Sequence, residues 1–286
     1  MRLRRLSLSK PGLSSHLACR PVPSTFTPSH RGGAGTPLVL LHGFTDTWRT
    51  WDLVLPQLER HHDVLAPTLV GHAGGPPLEQ AVTEDLLPDA IERAMDEAGF
   101  ATAHIVGNSL GGYLALHLAA RGRAESVVAL APAGGWAKED ETYKETLEFF
   151  PRLKEQVQAI APQVDALLDS TQGRRMATLY TTTNFEHIPV ELLLHQLEAA
   201  VACDAGPLIE FAEREGYGLD AERIDCPVRI VWGTADRILA WPSSAERFRT
   251  DWLPQAEWIE LDGIGHCPQL DVPLETTQLI LGLTSA

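Results

Sequence analysis

Hydrophobic positions along the chain fall into two rhythms. Six short runs are apolar with little alternation: PLVLLHGF (37–44), HDVLAPTLVG (62–71), ATAHIVGNS (101–109), SVVALAPAGG (126–135), CPVRIVWGTAD (226–236) and AEWIELDGIGH (256–266). Such runs suit strands buried on both faces, as in a parallel sheet covered by helices. Between them, apolar residues recur at helical spacing. In TEDLLPDAIERAMDEAG (83–99), Leu86, Leu87, Ala90, Ile91, Ala94, Met95 and Ala98 share one face. Thr83 or Asp85 can cap its start and Gly99 its end, while Pro88 moves the first regular turn a few residues on. Residues 110–121, 243–253 and 272–283 read as further helices. This alternation predicts an α/β fold with a doubly wound, mostly parallel sheet.

One interval breaks the rhythm. Residues 136–225 carry almost no strand signal and read as helices in YKETLEFFPRLKEQVQAI, VDALLDSTQGRRMATLY and VELLLHQLEAAVACDAG. The expected organisation is a core of 25–135 and 226–286, a helical cap (136–225) over the carboxyl edge of the sheet, and an extension (1–24) outside the fold. The first 33 residues hold five Arg, one Lys and no acid, and the first carboxylate is Asp46. They lack the apolar centre of a secretory signal; an organelle transit segment shares the Arg- and Ser-rich, acid-free bias, and a disordered extension or an early start is the expectation.

Composition narrows the function classes. A net charge of −15 repels phosphate backbones and anionic lipid, so neither nucleic acid nor membrane is an expected partner. No apolar run reaches the roughly 20 residues that span a bilayer. The four cysteines (Cys19, Cys203, Cys226 and Cys267) are scattered, without zinc, redox or disulfide spacing, and read as reduced thiols of a cytoplasmic protein. The histidines show no ligand spacing beyond a His61-His62-Asp63 turn, so no metal and no cofactor are expected. Oligomeric state is not legible.

The chemistry concentrates in Gly107-Asn108-Ser109-Leu110-Gly111, which fits G-x-S-x-G between a predicted strand and a predicted helix. The turn is so tight that side chains two positions either side of the serine would collide, hence the glycines. It lifts the serine Oγ above the sheet edge and sets it at a helix N-terminus with free N–H groups. A serine hydroxyl needs a base, and His266 follows the last strand run at the same edge. The base needs an acid to fix its tautomer, and Asp236 ends the fifth run. Asp251, Asp262 and Asp271 are worse placed, since none ends a strand. The order Ser109, Asp236, His266 is that of α/β-hydrolases. For the oxyanion, the backbone N–H groups of Leu110 and Phe44 are the candidate donors, with His42 shaping the loop.

Here the chain resembles the α/β-hydrolase superfamily, in its capped serine-hydrolase branch of esterases and carbon–carbon hydrolases. The likeness spans about 25–286 and rests on LVLLHGF (38–44), VGHAGG (70–75), VGNSLGG (106–112), WGTAD (232–236) and GIGH (263–266). The family's D-x-x-G-x-G-x-S turn is replaced by Thr68-Leu69-Val70-Gly71-His72-Ala73-Gly74-Gly75, a change that removes no triad member. The resemblance implies acyl chemistry. Dehalogenases and epoxide hydrolases of this fold need Asp at the nucleophile position. GNSLGG is similar to the elbow of carbon–carbon hydrolases of ring-fission products, but HGFTDTWRTW departs from their Gly- and Pro-rich oxyanion loop. The expected function is therefore hydrolysis of a small to medium apolar ester, with lactones or thioesters as variants. A carbon–carbon hydrolase and a ligand-binding receptor of the same fold are the alternatives. Trp136, Phe149, Phe150, Tyr180, Leu239 and Trp241 are the candidate substrate-binding residues, and Cys267 beside His266 is a candidate point of oxidative or heavy-metal block.

Overall fold

The computed structural model describes residues 26–285; the N-terminal extension, Cys19 included, lies outside them. Strands and helices follow one another as β1 (Ser29–Gly33), β2 (Thr36–Leu41), α1 (Leu55–Leu58), β3 (His62–Pro67), α2 (Leu86–Glu97), β4 (Ala103–Asn108), α3 (Leu110–Ala120) and β5 (Ala124–Leu130). Five helices follow: α4 (Tyr143–Ile160), α5 (Val164–Leu168), α6 (Thr171–Ala177), α7 (Val190–Ala202) and α8 (Gly206–Glu215). The chain then returns through β6 (Val228–Gly233), β7 (Glu257–Leu261), α9 (Pro268–Asp271) and α10 (Pro273–Thr284). The sheet order is β1-β3-β2-β4-β5-β6-β7, all parallel except β1 against β3.

The missing alternation has its cause in this arrangement. Val39, Leu41, Ile105, Val127 and Ile230 point to the side covered by Ile91 and Met95 of α2 and Leu114 and Leu118 of α3. Their neighbours Leu38, Leu40, Val106, Val128 and Val231 point to the other side, against Trp51, Leu58 of α1 and Ile280 of α10. Both faces are dry, so both parities are apolar.

Two elements depart from expectation. β1 (SHRGG) has no apolar signal; it is an edge strand held by its ladder to β3 and by the Arg31–Asp63 ion pair at 2.7 Å. The helix expected over 243–253 is a 3-10 turn at Ser243–Ala245 followed by a widened turn at Phe248–Trp252. Its ladder is diverted: the Arg247 N–H donates to Gly135 O at 2.7 Å, and the Leu253 N–H reaches back five residues to Phe248 O. The strands are also shorter than the apolar runs. β5 ends at Leu130 and β7 at Leu261, and the remainder of each run forms loops at the carboxyl edge. An apolar cluster of Phe185, Ile188, Leu192 and Leu193 with Cys267 and Leu270 anchors the inserted helices to the loop after β7.

Candidate active site

Ser109 stands at the carboxyl end of β4, the central strand, and opens α3 with φ 56° and ψ −118°. This left-handed backbone is strained for a residue with a side chain and is held because its surroundings leave no alternative. A Cβ on Gly107 would lie 2.0 Å from Gly111 O, and one on Gly111 would lie 2.1 Å from Leu41 O. The glycines are thus required by backbone packing on both sides of the elbow.

His266 and Asp236 meet across the ends of β7 and β6. His266 Nδ1 donates to Asp236 Oδ2 at 2.7 Å, and both residues are buried. Asp236 Oδ1 accepts the backbone N–H groups of Ile238 and Leu239, each at 2.8 Å. The carboxylate is thereby pinned, and with Nδ1 donating, His266 Nε2 is left as the free acceptor. Ser109 and His266 line one cavity. The other acids lie elsewhere: Asp262 bonds Thr234, Asp251 is exposed, and Asp271 accepts backbone N–H groups of the surrounding loops.

The loop after β2 packs on the elbow, so that a Cβ on Gly43 would lie 3.2 Å from Ser109 Cβ. His42 shapes this loop. Its Nε2 accepts the Leu69 N–H at 2.9 Å, so Nδ1 carries the proton and donates to Gly43 O at 2.7 Å. Burial and the neighbouring His72 keep the ring well below the usual histidine range. With the Gly43 carbonyl held by His42, Phe44 follows directly beside Ser109, and both line the same two cavities. Leu110, as the first residue of α3, has an N–H without an intrahelical partner.

Two cavities open on either side of Ser109, sharing Phe44, Phe150 and Ile238. The first is lined mainly by apolar groups, including Leu110, Leu114, Trp136, Leu147, Phe211 and Leu239, and its one carboxylate, Glu84, is exposed. The second holds His266, Cys267, Tyr180 and Leu193 with a polar end made by Thr45, Asp46 and Gln196. Of the expected pocket residues, Trp136, Phe150, Tyr180 and Leu239 line these cavities. Phe149 and Trp241 do not. Phe149 packs behind the lining, against Phe150 and Tyr180, because successive helix residues point in different directions. Trp241 packs between Trp232 and Trp258 beneath Arg249, so its ring serves the sheet side.

Several polar residues of the site carry no motif. Asn108 Nδ2 donates to Leu130 O at 3.1 Å and to His266 O at 3.0 Å, fastening the histidine loop to the elbow. Its Oδ1 accepts from Gln269 Nε2 at 3.1 Å, and the same amide reaches Thr50 Oγ1 at 3.0 Å. Asp271 accepts the N–H groups of Gly265, Thr183 and Asn184 at 2.7, 2.8 and 2.7 Å, so one buried carboxylate ties the histidine loop to the inserted helices. Asp46 accepts from Thr47 N–H at 2.8 Å and Gln196 Nε2 at 3.0 Å, and burial raises its carboxyl to about 6. The only signal for these residues along the chain is position, since Asn108 lies inside the elbow motif and Asp46 four residues after His42. Cys267 is buried, 3.4 Å from Asn108 Oδ1, and burial pushes its thiol well up, which keeps it a thiol rather than a reactive thiolate.

The comparisons with known proteins agree with this architecture. The chain is 34% identical over 198 residues to epoxide hydrolase EphH of Mycobacterium tuberculosis, covering 68% of this chain and 92% of that protein. It is 26% identical to the pimeloyl-[acyl-carrier protein] methyl ester esterase of Chromobacterium violaceum, over 83% of this chain and 90% of the relative. The enol-lactonase from Burkholderia xenovorans LB400 shares the fold at a TM-score of 0.68 and 19% identity, over 90% of this chain and 96% of the other. Residues 38–279 match the model of the alpha/beta hydrolase family, and to that family this chain belongs.

Proposed function

We propose that the protein is a serine hydrolase that cleaves carboxylic esters, Ser109 being the nucleophile, His266 the base and Asp236 its orienting acid. The observation that carries this reading is the 2.7 Å bond from His266 Nδ1 to Asp236 beside a strained Ser109 in the same cavity. In this reading Ser109 Oγ attacks the acyl carbon while its proton passes to His266 Nε2. The N–H groups of Phe44 and Leu110 receive the oxyanion. His266 then gives the proton to the leaving oxygen as the C–O bond breaks, and water, activated by the same base, releases the acid. Ring opening of an epoxide by the same serine would leave an alkyl ether, which this machinery cannot hydrolyse. The EphH likeness therefore supports the family and not that reaction.

Protonation sets the orientation of the substrate. The leaving oxygen must lie near His266, which lines only the second of the two cavities. The acyl chain then occupies the first, apolar cavity, and the inserted helices act as a cap contributing Leu147, Phe150 and Phe211 to it. Hydrolysis of p-nitrophenyl esters from C2 to C12 by wild type and Ser109→Ala, with a ring-fission dienone alongside, tests the proposal. Ser109-dependent ester turnover with a chain-length optimum is expected. Turnover of the dienone alone would replace the reading by carbon–carbon hydrolysis. No turnover together with no fluorophosphonate labelling of Ser109 would favour a ligand-binding role.

A further inference from the structure

The second cavity contains a carboxyl that the proposed chemistry does not use. Asp46 lies four residues after His42 in the same loop, and Gln196 comes from α7 on the inserted helices, so the two sides of the site meet at this point. Among the described residues no basic side chain forms an ion pair with Asp46. Its donors are neutral: Thr47 N–H and Gln196 Nε2. A carboxylate has about four acceptor positions, so about two remain open. Gln196 and Thr45 line the same cavity beside it.

We infer that this polar end recognises a hydroxyl on the leaving group, so that the substrates are mono-esters of diols or polyols: Asp46 accepts the free hydroxyl while the esterified oxygen lies at His266. The inference rests on the serine-hydrolase reading and extends it from bond type to substrate class. The chemistry favours a neutral donor. The open acceptor positions on a carboxyl already held by two neutral donors suit a neutral O–H. A quaternary ammonium group has no N–H to give and is bound best by aromatic faces. The carboxyl's raised pKa fits a site where a full negative charge has no counter-ion.

The decisive comparison uses one acyl group and three alcohols: 3-hydroxypropyl, butyl and 3-(trimethylammonio)propyl hexanoate. The butyl ester replaces the hydroxyl by a methyl group of similar size. Wild type is expected to favour the hydroxypropyl over the butyl ester about 10-fold in kcat/KM, the worth of a hydrogen bond to a charged group. Asp46→Ala should bring that ratio to one or below. Because Asp46 also holds the Thr47 N–H, the second variant is Gln196→Met, which leaves that bond intact. It should lower the ratio several-fold by freeing the carboxylate it orients. A wild-type ratio near one, a ratio unchanged in the variants, or a preference for the ammonium ester over both others would overturn the inference while leaving ester hydrolysis standing. If wild type cleaves none of these esters and Ser109 is not labelled by a fluorophosphonate, the serine-hydrolase reading falls and takes this inference with it.

Discussion

The two cavities beside Ser109 share three lining residues besides the serine and differ in almost everything else. The first is walled by Leu110, Leu114, Trp136, Leu147 and Leu239, with no buried carboxyl. The second ends in Asp46, Gln196 and Thr45 and contains His266. The lesson is a division of labour. The elbow between them is fixed by backbone contacts too close for any side chain, whereas each cavity takes its character from side chains: mainly apolar ones of α3, α4 and α8 in the first, and the polar Thr45 and Asp46 of the loop after β2 with Gln196 of α7 in the second. A change at the elbow should therefore remove both functions at once, and a change in one cavity should alter one half of the substrate.

The largest expected effect removes what the cavities share. Ser109→Ala should lower kcat/KM for every ester by about 10⁴-fold or more, irrespective of chain length or alcohol. A loss confined to some substrates would mean that the cavities do not meet at this residue. Next, Leu147→Trp fills the first cavity from α4. Hexanoate and longer esters should lose about 100-fold relative to acetate, while the preference among alcohols stays as it was. Loss of the alcohol preference as well would show that acyl and leaving groups are not separated as proposed.

A smaller effect is expected at the tie between the two halves. Asp271→Asn opposes an NH₂ group to one of three backbone N–H donors, and the buried mismatch should cost about 2 kcal/mol in urea unfolding. The loop carrying His266 should loosen, lowering kcat with little change in KM. An unchanged denaturation midpoint would refute the tie. A separate effect on stability comes from acid. His72 and His195 flank the loop after β2 and are held by burial at about 4, against 6.5 for a free ring. Both are neutral in either state above pH 6.5. As pH falls from there towards 4, the unfolded chain takes up protons that the folded one refuses, so stability is lost over that window by about 2–3 kcal/mol per ring. Chemical denaturation at pH 7.5 and 4.5 measures this, and replacing His72 by Asn should reduce the difference.

Much of the fold is legible along the chain, because a sheet buried on both faces writes both parities in apolar residues, as Leu38 to Leu41 do. The strained serine is legible too, since only glycine tolerates the closeness of Gly107 and Gly111 to backbone oxygens. β1 is not, because an edge strand of Ser, His, Arg and Gly is held by a neighbour's ladder and not by its own pattern. Nor is the broken helix at 243–252, whose N–H at Arg247 is taken by Gly135 from across the fold. Phe149 and Trp241 read like pocket residues by composition. Their rings turn elsewhere because direction depends on helix phase and on neighbours far away in sequence.

The strand–helix alternation, the tight turn around Ser109 and the order of serine, acid and histidine are written in the chain. These are local matters of periodicity, backbone allowance and spacing along the chain. Folding alone brings Asn108 to fasten the His266 loop, Asp271 to bind that loop to the inserted helices, and Asp46 to meet Gln196 at the end of a cavity. Each of those contacts joins residues on separate elements, and most join residues far apart in the chain. Buried polar groups find their partners wherever packing brings them, so their roles follow from the folded core and not from any pattern along the chain.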